Sequence, residues 1–371
     1  MAFRQPGTIL NPAPYEPFSK DLGITDTTTT PSNGIELTEG TPGDNNRFGA
    51  GVDIYGDKLY VRRRNTLLIY SYDLDGTNET VFYNGGISTQ GGTLVCGNGY
   101  IYTEGATLDD VVILDLGGNV VNSFSFPVAT STNTKRYAAR YGKLAVGDDS
   151  YNSNTGRVYL YDAAGNLIKT IENPESTTFD NFGQSVVLAN GKLIITAQGD
   201  DDGGINDGAY YIYDLWGNYI SKRSYTNSTG ANGQLLVLAA GSGRIVSKVV
   251  DGNGNYIFLI DDLDGNNITT ISDPSSIGQT SFGIGIGEGR IVVVPPNNSA
   301  VYVYDLDGNS ITNFSITTYT PANLGYYGVI VKNGKIAFSD PYSDVTFTND
   351  GIVYIYDTPS QTHYLDLLDG I

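Results

Sequence analysis

Residues 353–357 read VYIYD, an alternation of aliphatic and tyrosine side chains that ends on aspartate. The same phrase, or a close variant followed by Leu-x-Gly-Asn, recurs along the chain. The aspartates that end the copies are Asp73, Asp115, Asp162, Asp214, Asp262, Asp305 and Asp357. Successive members of this series lie between 42 and 52 residues apart. The chain therefore contains one structural unit repeated seven times.

Each copy predicts four antiparallel strands. In the fourth copy, residues 182–188 and 192–196 are two strands joined by an Asn-Gly pair, which is a typical two-residue hairpin turn. Residues 210–214 and 219–225 are the third and fourth strands. A period of about 40–50 residues with four strands per repeat is typical of propeller blades. The sequence therefore predicts an all-β, seven-bladed β-propeller built from four-stranded antiparallel blades.

The ring is predicted to close with a strand from the N-terminal side. Residues 33–42 match residues 165–174, which hold a fourth strand, and both segments precede a Phe-Gly pair. Residues 35–39 are therefore expected to supply the fourth strand of the last blade, so that the blades form a closed ring. Residues 362–367 are the alternative candidate for that place.

The fourth copy resembles an FG-GAP repeat of the integrin-α-like β-propellers. Residues 182–186 (FGQSV), 197–202 (AQGDDD) and 208–213 (GAYYIY) carry the resemblance, and weaker echoes extend it over residues 35–371. The resemblance implies a propeller fold and leaves function open, because propellers host many activities. Calcium in that family binds Asp-x-Asp-x-Asp-Gly loops in the first hairpin of a blade. Those hairpins are tight turns here, so that particular site is expected to be missing.

Composition excludes several classes of function. The formal net charge is −19, from 21 Lys and Arg against 40 Asp and Glu, which argues against a nucleic-acid partner. One cysteine and one histidine cannot form a disulfide or a Cys/His zinc cluster. Cys96 is expected to be buried and inert, and His363 has no paired nucleophile signature. No phosphate-binding loop or nucleophile elbow is present, so we predict that the chain is not an enzyme.

The predicted propeller has its long loops on one face, where second strands join third strands and where blades join one another. Variable loops on a rigid scaffold are common binding sites. The residues expected to bind a ligand there are Asp148, Asp149, Tyr151, Asp340, Tyr342 and Asp344. An acidic, solvated rim with ordinary tyrosines at strand ends is the competing interpretation.

A further acidic loop is a candidate calcium site, because Ca²⁺ prefers hard oxygen ligands. Its candidate ligands are Asp200, Asp201, Asp202 and Asp207. The competing interpretation is again a solvated acidic rim. No other cofactor is expected.

Residues 1–34 are predicted to form an extended arm, and residues 35–371 the propeller. Prolines in the arm favour extended backbone, and the arm carries apolar anchors. The residues expected to dock on a partner are Phe3, Arg4, Tyr15 and Phe18. A disordered tail is the competing interpretation.

These features lead to the hypothesis of a non-enzymatic structural or attachment protein of a virion, such as a bacteriophage tail, fibre or decoration component. The expected partners are other virion proteins, through the arm, and a host surface glycan or receptor. Nucleic-acid binding is not expected because of the negative net charge. Membrane insertion is not expected either, since the sequence has no long apolar span and no secretory signal pattern. The alternative is a bacterial surface adhesin or carbohydrate-binding propeller, and a polysaccharide hydrolase or lyase ranks below both.

Overall fold

The computed structural model describes residues 34–39, 46–64, 66–87, 91–107, 109–127, 136–202, 207–225, 237–251, 253, 255–274, 283–296, 299–316, 324–325, 328–345 and 348–359. The strands in chain order are β1 (Ile35–Leu37), β2 (Phe48–Tyr55), β3 (Lys58–Arg63), β4 (Thr66–Asp73), β5 (Thr80–Ile87), β6 (Leu94–Gly97), β7 (Tyr100–Glu104), β8 (Asp110–Leu114), β9 (Val120–Ser125), β10 (Arg136–Arg140), β11 (Lys143–Asp148), β12 (Arg157–Asp162), β13 (Leu167–Glu172), β14 (Phe182–Ala189), β15 (Lys192–Ala197), β16 (Ala209–Asp214), β17 (Tyr219–Ser224), β18 (Val237–Gly241), β19 (Arg244–Val250), β20 (Tyr256–Asp261), β21 (Asn267–Ser272), β22 (Gly283–Gly287), β23 (Arg290–Val294), β24 (Ala300–Tyr304), β25 (Ser310–Ser315), β26 (Val329–Lys332), β27 (Lys335–Asp340) and β28 (Ile352–Asp357). A single turn, α1 (Tyr151–Asn154), lies between β11 and β12, with left-handed backbone at Asn152, Ser153 and Asn154.

The strands form seven antiparallel sheets of four, which we number as blades 1 to 7. Blade 1 is β2–β5, and blades 2 to 6 follow in chain order through β25. Blade 7 has the order β26-β27-β28-β1. First strands of successive blades contact one another, and β2 also contacts β26, so the sheets form a ring. The predicted all-β, seven-bladed propeller is confirmed.

Strand β1 lies antiparallel to β28 and occupies the outer position of blade 7. Ile35 faces Ile355, and Leu37 faces Val353. Just beyond β1, the buried carboxylate of Glu39 accepts hydrogen bonds from Arg63 (2.9 Å), Tyr70 (2.8 Å) and Asn46 (3.0 Å). Both Arg63 and Tyr70 belong to blade 1, so this short segment joins the last blade to the first. Residues 362–367 and the arm up to residue 33 lie outside the described residues.

The ring has two different faces. The turn face carries the two-residue hairpins between first and second strands and the Leu-x-Gly-Asn hairpins between third and fourth strands. The loop face carries the connections from second to third strands and from blade to blade. Gly34 lies against the ring of Tyr356, near the turn-face end of β28, and Ile35 lies beside Gly76 in a blade 1 hairpin. Gly34, the first described residue, therefore lies at the turn face.

The repeated Asp-x-x-Gly-Asn phrase closes the hairpins between third and fourth strands. In blade 2, Oδ1 of Asp115 accepts from the backbone N–H groups of Gly117 (2.9 Å) and Asn119 (2.8 Å). The side-chain amide of Asn119 donates to Oδ2 (3.0 Å). These bonds with Asn119 and the backbone hold the pKa of Asp115 below its ordinary value. Asp162, Asp214, Asp262 and Asp305 make the same pattern.

The hydrophobic core lies at the interfaces between blades. Phe182 is fully buried, with its ring 5.3 Å from that of Tyr211 in an edge-on contact. Gly183 follows it with φ +93°, and a Cβ there would lie 2.6 Å from the carbonyl oxygen of Arg157 in blade 3. Only glycine fits this conformation and approach, which explains the Phe-Gly pair physically.

Candidate functional site

Of the predicted binding residues on the loop of blade 3, Asp148 and Tyr151 both contact Arg157. Asp148 ends β11 and is fully buried, and its carboxylate lies 3.8 Å from Nε of Arg157. The guanidinium carbon of Arg157 stands 3.3 Å from the centre of the Tyr151 ring. Asp149 beside them is half-buried. The stacked cation and its counter-ion therefore hold this loop in one conformation.

The predicted residues of blade 7 also form contacts with their own loop. Asp340 is buried at the end of β27 and accepts from the backbone N–H of Tyr342 (3.1 Å). Arg47 from blade 1 lies over the Tyr342 ring at 4.6 Å. The exposed Asp344 accepts from the backbone N–H of Asn349 (2.7 Å). Blades 3 and 7 are not neighbours, so the structure keeps the two predicted sets apart. Their binding role stays a prediction.

A compact cluster of charges lies where blade 3 meets blade 4. Asp200 is fully buried and accepts from the Tyr211 hydroxyl (2.7 Å). The Lys222 ammonium, on β17, lies 2.9 Å from Asp200 and 2.7 Å from Asp202, and it also pairs with Glu175. Burial disfavours the charged amine, but the hydrogen bonds to these three carboxylates outweigh it and raise the pKa of Lys222.

This cluster bears on the calcium prediction. Oxygen atoms of Glu175, Asp200 and Asp202 lie within 4.8 Å of one another, a spacing that suits a cation. The Lys222 ammonium already supplies a positive charge among them. Asp207 is buried and Asp201 exposed, while residues 203–206 between them lie outside the described part of the chain. Calcium binding by Asp200, Asp201, Asp202 and Asp207 therefore stays a prediction.

Sequence reasoning missed two groups of residues. Glu175 reaches Asp200 from the connection between blades 3 and 4, and Lys222 reaches it from the outer strand β17. No local spacing in the sequence predicts these contacts. The second group is an ion pair between blades 1 and 2, in which Arg62 and Glu104 are both fully buried and 3.2 Å apart. Arg62 also donates to the Thr93 carbonyl (2.8 Å) and to the Thr103 hydroxyl (2.7 Å). Burial raises the pKa of Glu104 and lowers that of Arg62.

Two potential nucleophiles are buried. Burial raises the pKa of the Cys96 thiol, which makes it a poor nucleophile. Burial lowers the pKa of Lys248 to about 7, but this fully buried amine lies 3.7 Å from the centre of the Tyr256 ring. His363 lies outside the described residues. Within the described residues, no helix has the length and apolar character needed to cross a membrane.

Comparison with known proteins gives one family match. The FG-GAP repeat model matches residues 170–213, which run from β13 through β16. A search of curated protein sequences gives no significant match.

Solved structures share the fold at low sequence identity. A streptogramin B lyase structure is 13% identical, with a TM-score of 0.65 over 88% of this chain and 98% of that chain. A catalytically inactive virginiamycin B lyase from Staphylococcus aureus, with quinupristin, is 13% identical, with a TM-score of 0.61 over 88% of this chain and 99% of that chain. The Neurospora crassa Pan2 WD40 domain is 11% identical, with a TM-score of 0.55 over 84% and 89%. Such identities show the fold alone. The chain is therefore a seven-bladed β-propeller that contains an FG-GAP repeat at residues 170–213.

Proposed function

We propose that the chain is a non-enzymatic structural or attachment protein of a virion, such as a bacteriophage tail, fibre or decoration component. In this role the propeller is a rigid platform that binds a protein or a glycan, while the N-terminal arm attaches it to other virion proteins. The observation that carries the proposal is that Gly34, where the proposed arm ends, and the longer loops lie on opposite faces of the ring. Gly34 meets the ring at the turn face, and the longer loops lie on the loop face.

This separation suits a protein that is anchored at one end and displayed at the other. Gly34 lies at the turn face, so an arm that docks on that side would leave the loop face open to a second partner. The arm residues proposed to dock are Phe3, Arg4, Tyr15 and Phe18. A short arm that orders on its partner binds through a few apolar anchors, and prolines limit the entropy lost.

The contacts within the loops support a binding role. The stacked pair of Arg157 and Tyr151, and that of Arg47 and Tyr342, hold two loops without a ligand. A preorganised surface loses little conformational entropy when it binds. The two lyases among the structural neighbours are similar in fold alone and do not extend their reaction to this chain.

The test is association of the chain with virions. Mass spectrometry of purified particles should detect the full chain, and particles assembled with a chain that lacks residues 1–33 should not retain it. A variant with Phe3→Ala, Tyr15→Ala and Phe18→Ala should be retained poorly, while its unfolding midpoint stays that of the unmodified chain. Absence of the full chain from purified particles, or equal retention of the truncated chain, would refute the proposal.

The second candidate is a bacterial surface adhesin or carbohydrate-binding propeller. The observation that favours it is the exposure of two aromatic side chains on blade 4, Trp216 at 66% and Tyr219 at 56%. Surface-exposed aromatics on a rigid scaffold commonly mark a binding site. Recovery of the chain in the cell-surface fraction of a bacterium, and not in particles, would support this function over the virion role.

A further inference from the structure

A groove runs down the side of the propeller between blade 3 and blade 4. Its walls are the outer strand β13 and the strands β16 and β17, and its volume is about 330 Å³. That volume lies at the lower end of the range of about 300–1,000 Å³ found for small-molecule sites. The cluster of Lys222 and its carboxylates lies at one end of the groove, and Gly217 of a turn-face hairpin lies at the other.

We propose that this groove binds a neutral oligosaccharide. The proposal deepens the non-enzymatic binding role, on which it rests, by naming the ligand class and the site. It does not depend on the arm or on the virion as the setting.

The first support is an aromatic ring presented for stacking. Tyr219, the first residue of β17, lines the groove and is 56% exposed. The ring of Tyr213 lies 5.8 Å away at an interplanar angle of 76°, an edge-on packing that fixes Tyr219 in place. The C–H face of a pyranose ring is apolar and packs on such a surface. A fixed, open tyrosine therefore suits a sugar ring.

The second support is an unpartnered hydroxyl. Tyr213 lines the groove and is 3% exposed, and its hydroxyl has no hydrogen-bond partner among the described residues. A buried polar group without a partner destabilises a protein by about 1–3 kcal/mol. The hydroxyl is closed to water in the free protein, so a sugar hydroxyl reaches it only if the Tyr213 and Tyr219 rings shift upon binding, and the hydrogen bond then formed removes that penalty.

The third support is the balance of charge. The charged residues that line the groove are Lys169, Glu172, Glu175 and Lys222, two of each sign. Sugar hydroxyls donate to carboxylates and accept from ammonium groups, so a neutral sugar finds both kinds of partner here. A polyanionic glycan would instead approach a protein with a formal net charge of −19. This balance selects neutral over acidic oligosaccharides.

The test uses the full chain and a panel of neutral hexasaccharides: maltohexaose, cellohexaose, mannohexaose and chitohexaose. Calorimetry measures affinity, and tryptophan fluorescence supplies a second readout. The chain has a single tryptophan, Trp216, which precedes the Gly217 end of the groove. We expect at least one hexasaccharide to bind and to change Trp216 emission. An oligogalacturonate of the same length should bind at least tenfold more weakly.

Variants then place the binding in the groove. Tyr219→Ala should weaken binding at least tenfold. Val120→Ala is the matched control, since Val120 begins the fourth strand of blade 2 and is 52% exposed. It should leave binding unchanged. Tyr213→Phe removes only the unpartnered hydroxyl, so it should weaken binding while raising the unfolding midpoint of the free chain.

Each result decides the inference. The inference is overturned if no neutral hexasaccharide binds. It is also overturned if Tyr219→Ala leaves the affinity unchanged, or lowers it no more than Val120→Ala does. Recovery of shortened sugars after incubation would instead refute the non-enzymatic role. Retention of the Tyr219→Ala variant on virions tests the proposed function separately, because that function uses the arm.

Discussion

Replacing Lys222 by methionine is expected to destabilise the propeller far more than replacing another paired lysine. The Lys222 side chain is 12% exposed and pairs with Asp200, which is fully buried. In the variant, Asp200 keeps the Tyr211 hydroxyl but loses its ionic partner. Asp202 is 59% exposed and Glu175 29% exposed, so water compensates much of their loss.

The size of the expected loss in unfolding free energy follows from Asp200, the one fully buried partner of Lys222. Breaking a buried ion pair by removing one member costs about 3–5 kcal/mol of unfolding free energy. Because the other two carboxylates are partly hydrated, we expect the lower end, about 3 kcal/mol at pH 7. The matched control is Lys192→Met, since Lys192 pairs with Asp264, which is 76% exposed. That change should cost only about 1 kcal/mol or less.

The difference between the unmodified chain and the Lys222→Met variant should depend on pH. Hydrogen bonding to Lys222 holds the pKa of Asp202 below its ordinary value. The stability that Asp202 gains from this pairing is therefore present above about pH 4, and it is lost as pH falls through the pKa of Asp202 in the folded chain. The pKa of Lys222 is raised in the folded chain. The stability that Lys222 contributes is therefore present below about pH 10, and it is lost as pH rises through that raised pKa. The destabilisation should be largest between these limits.

Urea unfolding of both variants and the unmodified chain, at intervals from pH 3 to pH 11, measures these free energies. Millimolar Ca²⁺ should raise the unfolding midpoint of Lys222→Met, whose three carboxylates lack their cation, more than that of Lys192→Met. The reasoning fails if the two lysine variants lose equal stability at pH 7, or if the loss in Lys222→Met is independent of pH.

Two further predictions concern contacts in other blades. Arg62→Met should lower the unfolding free energy by about 3–5 kcal/mol, because Glu104 then lies buried without its counter-ion. Adding Glu104→Gln should restore part of that loss in urea unfolding, and no restoration would contradict the ion-pair explanation. Asp115→Ala should lower the unfolding free energy in the same assay, because the exposed hairpin loses its bonds to Asn119. A cost near zero would show that the hairpin closes without Asp115.

The fold follows from the sequence because its signals are local. In blades 2 to 6 the Asp-x-x-Gly-Asn phrase closes the hairpin with bonds between residues two and four positions apart, as at Asp115 and Asn119. The Phe-Gly pair marks a first strand because the neighbouring backbone leaves no room for a Cβ at Gly183. Repetition of such signals fixes both the blade number and the strand order.

The candidate sites depend on contacts that no local pattern contains. Asp148 ends β11 and Asp200 lies in the loop after β15, yet both are fully buried, because Arg157 and Lys222 reach them from other strands. The groove between blades 3 and 4 is equally invisible in sequence. Its aromatic residue, Tyr219, is the first residue of an outer strand, and the residues at the same position are Leu167 in blade 3 and Val120 in blade 2.

The central claim is that the segment after Gly34 completes blade 7 and joins it to blade 1. Urea unfolding of chains that lack residues 1–33, 1–39 or 360–371 tests it directly. Removal of residues 1–33 or 360–371 should leave the unfolding free energy unchanged. Removal of residues 1–39 should lower it by at least about 3 kcal/mol, through loss of the buried Leu37 side chain and of three hydrogen bonds to Glu39. Equal stability of the 1–33 and 1–39 deletions, or a large loss on removing residues 360–371, would contradict it.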